Sequence, residues 1–258
     1  MNLIPIRQNL SQEEAPKHLT RAQFFVFAAF LTAIGGCCML PFDTIFASPK
    51  FHSNLPGDAV RFITLSELFA HGFGVVLVGF GIRALTPEKS RFIPRVVCCA
   101  LWPAIIAQLL KVFVSRWRPI CYFGPDSKTF FPNHISQTFK GILPNHQWNT
   151  HYLDQSFPSA HTATVWGLAS GLGYIFPRGQ SFFFGIAVLA SLQRIISHSH
   201  WPSDVFFGAA IGLFFGTAIT WNWGIGGLLR RWELSSSDSK AQNNENVDPK
   251  SESFAKSA

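Results

Sequence analysis

Three polar groups interrupt a largely apolar sequence, and each carries residue types suited to handling phosphate. The first is Lys111-Val112-Phe113-Val114-Ser115-Arg116-Trp117-Arg118-Pro119. Lys111 and Arg118 stand seven apart, about two helical turns, so a continuous helix would put both on one face. Pro119 disfavours helix at Arg118 and helps end the element. Two cations on one face can grip a polyanion, although basic residues at helix ends also snorkel to a membrane interface. Arg116 is the better candidate for snorkelling.

The second group is Phe157-Pro158-Ser159-Ala160-His161-Thr162, directly before an apolar run. Ser159 suits a helix N-cap, which would leave the amides of Ala160 and His161 at the positive end of a helix dipole, an arrangement that binds phosphate. A capped helix with an interfacial His161 fits the same residues.

The third group, Arg194 to Asp204, closes an apolar run with a guanidinium, two imidazoles and a carboxylate, each costly in lipid without a partner. His200 and Asp204 are four apart. At that spacing a carboxylate can accept from one imidazole nitrogen and leave the other free as a nucleophile. His198 and His200 could instead ligate zinc, but no third and fourth ligand stands at a convincing spacing. Ser159 lacks the Gly-x-Ser-x-Gly surroundings of a serine nucleophile, so histidine is the stronger candidate.

The elements that position these groups are set by the solvent they meet. Of 258 residues only 14% are charged, 48% are hydrophobic and 15% aromatic, against about 25% charged in an average soluble protein. Apolar runs at 24–40, 62–85, 96–114, 162–176, 181–196 and 205–223 predict six transmembrane helices, an all-α polytopic bundle. Gly208, Gly212 and Gly216, four apart in the last run, mark close helix packing. Cys37, Cys38, Cys98 and Cys99 lie within apolar runs as small hydrophobes, so no disulfide framework is expected.

The basic connections set the topology by the positive-inside rule. Arg7, Lys17 and Arg21 precede the first run, Lys89, Arg91 and Arg95 join the second and third, Arg178 joins the fourth and fifth, and Arg230 and Arg231 follow the sixth. These are expected on the cytoplasmic side, with both termini. The chain then divides into a polar leader (1–23), a six-helix membrane domain (24–232) and a disordered, polar cytoplasmic tail (233–258). All three chemical groups fall at the outer face, beside a long outer loop (119–158) that contains His134, His146, Trp148 and His151. The net charge of +7 is scattered rather than gathered in a stripe, which argues against nucleic acid.

In order and spacing the three groups resemble the type-2 phosphatidic acid phosphatase superfamily, whose signature is Lys-x6-Arg-Pro, Pro-Ser-Gly-His and Ser-Arg-x5-His-x3-Asp. Here they are Lys111-x6-Arg118-Pro119, Pro158-Ser159-Ala160-His161 and Gln193-Arg194-x5-His200-x3-Asp204. The resemblance covers roughly residues 60 to 220, with Ala160 in place of glycine and Gln193 in place of serine. It implies a metal-free, cofactor-free hydrolase. Lys111, Arg118, Arg194, Ser159 and the Ala160 amide would hold the phosphate, His200 oriented by Asp204 would form a phosphohistidine, and His161 would protonate the leaving alkoxide. The implied partner is a membrane lipid phosphate in the bilayer: phosphatidic acid, phosphatidylglycerol phosphate, undecaprenyl diphosphate or lipid A. A bacterial inner-membrane location with a periplasmic site is expected. A phosphotransferase between lipids and a non-catalytic lipid or phosphate transporter are the alternatives.

Overall fold

In a computed structural model, residues 15–53, 55–123, 138–142 and 153–247 are described. The outer-loop residues His134, His146, Trp148 and His151 lie outside them. Helix α1 (Ala15–Met39) is followed by short helices α2 (Asp43–Phe46) and α3 (Pro49–His52), then α4 (Gly57–Leu65) and α5 (Gly72–Leu85). Helix α6 (Ile93–Phe113) runs into strand β1 (Val114–Arg116), which pairs antiparallel with β2 (Phe139–Ile142) on the far side of α7 (Pro119–Phe123). The chain ends in α8 (Ala160–Ile175), α9 (Gln180–Ile196), α10 (Pro202–Thr220) and α11 (Ile225–Val247).

Helix α8 is the centre of the bundle, with α6, α9 and α10 packed around it, while α1 packs along α10. Its sequence, AHTATVWGLASGLGYI, has small or apolar residues around most of its surface and is buried along almost its whole length, as expected of a helix with no polar stripe. Small residues permit the close approach. A methyl group at Gly208 on α10 would sit 2.4 Å from the Ser159 carbonyl oxygen, and one at Gly212 would sit 2.6 Å from that of Ala163.

The six expected spans are not all matched by length and composition. Among the described residues, four helical stretches are long and apolar enough to cross a membrane (Arg21–Phe46, Pro87–Phe113, Pro177–Ile196 and Pro202–Ser236), with a fifth if Gly57–Ala70 and Gly72–Leu85 count as one span bent by 78°. The expected fourth span is α8, whose 16 residues reach only about 24 Å. Prolines at 158 and 177 bracket it, and its neighbours take the place of lipid.

Two further expectations change. Lys111 and Arg118 do not share a helix face, because α6 ends at Phe113 and Val114–Arg116 is extended; the β-branched and aromatic run there favours a strand, and β2 supplies its partner. The polar stretch from 233 is helical as far as Val247, where Lys, Gln, Glu and Ala can extend a helix already begun by Leu228–Leu234.

Candidate active site

The turn between α9 and α10 sets the direction of His200. The Arg194 carbonyl accepts from the amides of Ser199 (3.2 Å) and His200 (3.1 Å), and His198 takes a left-handed backbone at φ 52° to complete the reversal. The imidazole of His200 is buried, and its Nδ1 lies 2.7 Å from the Ser156 carbonyl oxygen. A carbonyl only accepts, so Nδ1 must carry the proton and Nε2 keeps its lone pair. Burial first, and then the nearby cations Lys111, Arg118 and Arg194, hold His200 well below the ordinary histidine pKa.

The orienting contact is therefore not the one expected. Asp204 Oδ2 stands 3.9 Å from His200 Nδ1, too far for a hydrogen bond. Asp204 instead accepts from Arg116 NH1 (2.5 Å), the Ser156 hydroxyl (2.5 Å) and the Trp201 amide (2.9 Å). It fixes both the Ser156 segment and the N-terminus of α10, and so acts on His200 from both sides.

Arg116 is the second correction. Far from snorkelling, it is fully buried and spans two carboxylates, donating from NH1 to Asp204 and from NH2 to Asp43 at 2.7 Å. Asp43 in turn accepts from the amide (2.9 Å) and hydroxyl (2.6 Å) of Ser203. The strand backbone completes the frame, with Arg116 N to Asp154 O at 2.7 Å and Ser156 N to Arg116 O at 2.9 Å. A single guanidinium thus joins the segment after α1, strand β1 and the start of α10.

The remaining candidates lie around this frame. Ser159 caps α8, accepting at Oγ from the Thr162 amide (3.4 Å) and hydroxyl (2.9 Å), while its own amide donates to the Asp204 carbonyl (3.0 Å). Ala160 and His161 then form the first turn. Arg118 NH1 donates to the Ser199 carbonyl (3.2 Å), and Lys111 is buried at the end of α6. Arg194 donates from NH1 to Glu67 and from NH2 to the Ser199 hydroxyl (2.8 Å), while its buried Nε has no partner among the described residues. Lys111, Arg118, Arg194, His161 and His200 therefore converge at one end of the bundle.

Asp43, Glu67, Ser156 and Ser203 were missed in the sequence. Two of them carried a usable signal, since Asp43 and Glu67 are lone carboxylates in or beside apolar runs. Glu67 sits just before the break between α4 and α5. It accepts from Arg194 and from Gln193 Nε2 (2.7 Å) and lies 3.4 Å from His71 Nε2. Gln193, which replaces the signature serine, has this carboxylate as its contact. The His71 ring meets His161 edge-on at 4.7 Å between centroids.

Among the described residues, Glu67, His71 and His161 could also hold a metal ion, their ligand atoms lying within 4.8 Å of one another. Two imidazoles and a carboxylate suit zinc. The same carboxylate, however, already faces the Arg194 guanidinium and the Gln193 amide, donors that compete for its lone pairs.

A buried histidine whose Nε2 keeps its lone pair thus stands among three cations beside a capped helix N-terminus in an α-helical bundle, an arrangement chemically able to hold an anion. Residues 94–224 match the PAP2 superfamily, and the chain belongs to that family. It is similar to the lipid A 1-phosphatase of Rhizobium johnstonii, 30% identical over 115 residues (45% of this chain, 41% of the relative). It is also similar to that of Rhizobium etli, 30% identical over 123 residues (47% of each). The chain spans less than half the length of these relatives. The crystal structure of LpxE from Aquifex aeolicus aligns with a TM-score of 0.49 and 19% identity over 69% of this chain and 91% of that one.

Proposed function

We propose that this chain is an integral-membrane lipid phosphatase of the bacterial inner membrane that works through a phosphohistidine, and that its substrate is a lipid A 1-phosphate. The observation that carries the chemistry is the His200 Nδ1 contact with the Ser156 carbonyl, because it leaves Nε2 as the nucleophile. The lipid A 1-phosphatases to which the chain is similar support the choice of substrate. A periplasmic site with cytoplasmic termini follows from the basic connections.

Lys111, Arg118 and Arg194, with the Ser159 hydroxyl and the Ala160 amide, hold the phosphate oxygens and stabilise the charge in transfer. His200 Nε2 attacks phosphorus, and the ester P–O bond breaks with its electron pair going to the leaving oxygen, which His161 protonates. Water, deprotonated by His161, then attacks the phosphohistidine. Phosphate leaves and His200 Nε2 regains its lone pair. The unpaired Arg194 Nε is the donor most directly left for substrate.

The test is phosphate release by purified protein from lipid A, phosphatidic acid, phosphatidylglycerol phosphate and undecaprenyl diphosphate. Release from lipid A at the 1-position is expected, and loss of at least a thousandfold in His200→Ala with the fold retained. Release from another lipid alone overturns the substrate, and full activity in the variant overturns the mechanism. Radiolabel in an acceptor lipid instead of free phosphate would favour a transferase.

A further inference from the structure

At the opposite end of the bundle a cavity of about 120 Å³ is lined by Arg21, Tyr174, Gln180 and Trp221, with the hydroxyl residues Ser170 and Thr217 deeper in. The four named first all carry hydrogen-bond donors. None of these four side chains is engaged in a hydrogen bond among the described residues, whereas the Ser170 hydroxyl is spent on the Trp166 carbonyl (2.9 Å). A guanidinium, an amide, a phenol and an indole facing one small space, with no carboxylate in its lining, make a receptor for an anion.

The space is not closed. An open groove of about 690 Å³ shares Arg21, Phe25 and Gln180 with it and continues along Phe24 and Phe184. Phe24 is 64% exposed, on the apolar face of the first stretch able to cross a membrane. One end of the combined site is therefore rich in donors and the other is aromatic and open to lipid. That polarity matches an amphiphile, not a free ion. Two further cations raise the local potential: Arg178 in the adjoining turn, and Lys89, whose Nζ donates to the Ile175 carbonyl at 3.0 Å.

We infer that this cavity and groove form a second lipid site, which takes the phosphate headgroup of an anionic glycerophospholipid from the leaflet opposite the catalytic face. His161 and Tyr174 lie at the two ends of α8, thirteen residues or about 20 Å apart, so the two sites cannot share a headgroup. Between them runs the α8–α10 contact, Gly212 against Ala163 and Gly216 against Ser170. A lipid seated here ties α1 to the α8–α9 turn and to the end of α10.

The test counts lipids retained by the full chain in native mass spectrometry, titrated with phosphatidylglycerol or phosphatidylcholine, alongside phosphate release. Phosphatidylglycerol should be retained in preference to phosphatidylcholine. Arg21→Gln should weaken it by about tenfold, the scale of one lost charge-assisted bond, with phosphate release within twofold of the parent. Trp221→Phe keeps the ring, removes the N–H and should weaken retention by a smaller factor. Equal retention of both lipids, or unchanged retention in both variants, overturns the site. Displacement of the lipid by millimolar inorganic phosphate would make it a free-anion site and overturns the lipid assignment. Normal retention with no phosphate release would count against the phosphatase reading alone.

Discussion

His200 donates from Nδ1 to a backbone carbonyl, and a proton added at Nε2 would create a buried cation facing Lys111, Arg118 and Arg194. The imidazole therefore stays neutral well below the usual histidine range. The same shift has a stability sign. In the unfolded chain His200 binds a proton near its ordinary pKa of about 6.5, so stability is full above that pH and falls below it, by up to about 1.4 kcal/mol per pH unit for one such group. Burial lowers His52 and His198 in the same direction. The unfolding midpoint of the solubilised protein should be higher at pH 7 than at pH 5, declining below pH 6 and less steeply in His200→Asn. A level profile down to pH 5 would contradict this assignment. Glu67 supports a second prediction. Its carboxylate faces both Arg194 and Gln193, so Glu67→Gln should loosen the guanidinium and lower kcat/KM for phosphate release roughly 10- to 100-fold, the range of a charge-assisted hydrogen bond. If the carboxylate only competes with substrate, KM should fall instead.

Helices α8 and α10 approach so closely that one methyl group separates a working contact from a displaced one. At Gly208 the neighbour is the Ser159 carbonyl, 2.4 Å from a built Cβ, and backbone at a helix cap cannot move aside as a side chain could. Gly208→Ala should push α10 away from Ser159, cost about 1–3 kcal/mol and lower turnover. Gly185→Ala on α9, where nothing lies within 4 Å, serves as the control and should leave turnover unchanged and stability level or up to about 1 kcal/mol higher. Equal behaviour of the two variants in thermal unfolding and phosphate release would remove the packing argument. The close packing was legible in the sequence because glycines four apart repeat on one helix face. The end of α6 was not. Lys111 and Arg118 at seven residues look helical, and only the pairing of Val114–Arg116 with a strand beyond α7 breaks the helix between them. Arg116 was misread for the same reason, since its partners Asp43 and Asp204 are 73 and 88 residues away. Histidines and cations stood out by type and spacing, whereas the Ser156 carbonyl in contact with His200 is a backbone atom that no side-chain pattern records.

Across the whole molecule, two buried guanidiniums hold the bundle at its two ends. Arg116 serves the catalytic end, and Arg95 serves the other. Arg95 pairs with Glu233 through Nε (2.7 Å) and NH2 (2.8 Å), and also donates to the Ile219 carbonyl (2.6 Å) and to Asn222 Oδ1 (3.0 Å). One side chain on α6 thus captures the end of α10, the turn after it and α11. Arg95→Ala would leave Glu233 buried without its charge partner. Breaking such a pair costs about 3–5 kcal/mol, while replacing both members with apolar residues of similar size is often neutral. Arg95→Ala should therefore lower the unfolding midpoint strongly, and Arg95→Met combined with Glu233→Met should recover most of it. Phosphate release per folded molecule should change little in either variant, because the pair lies at the end of α10 remote from Asp204. If turnover fell with stability in the single variant and returned in the double one, the two ends would be mechanically coupled through α10. If turnover stayed level throughout, the α8–α10 contact near Ser159 would suffice to hold the site.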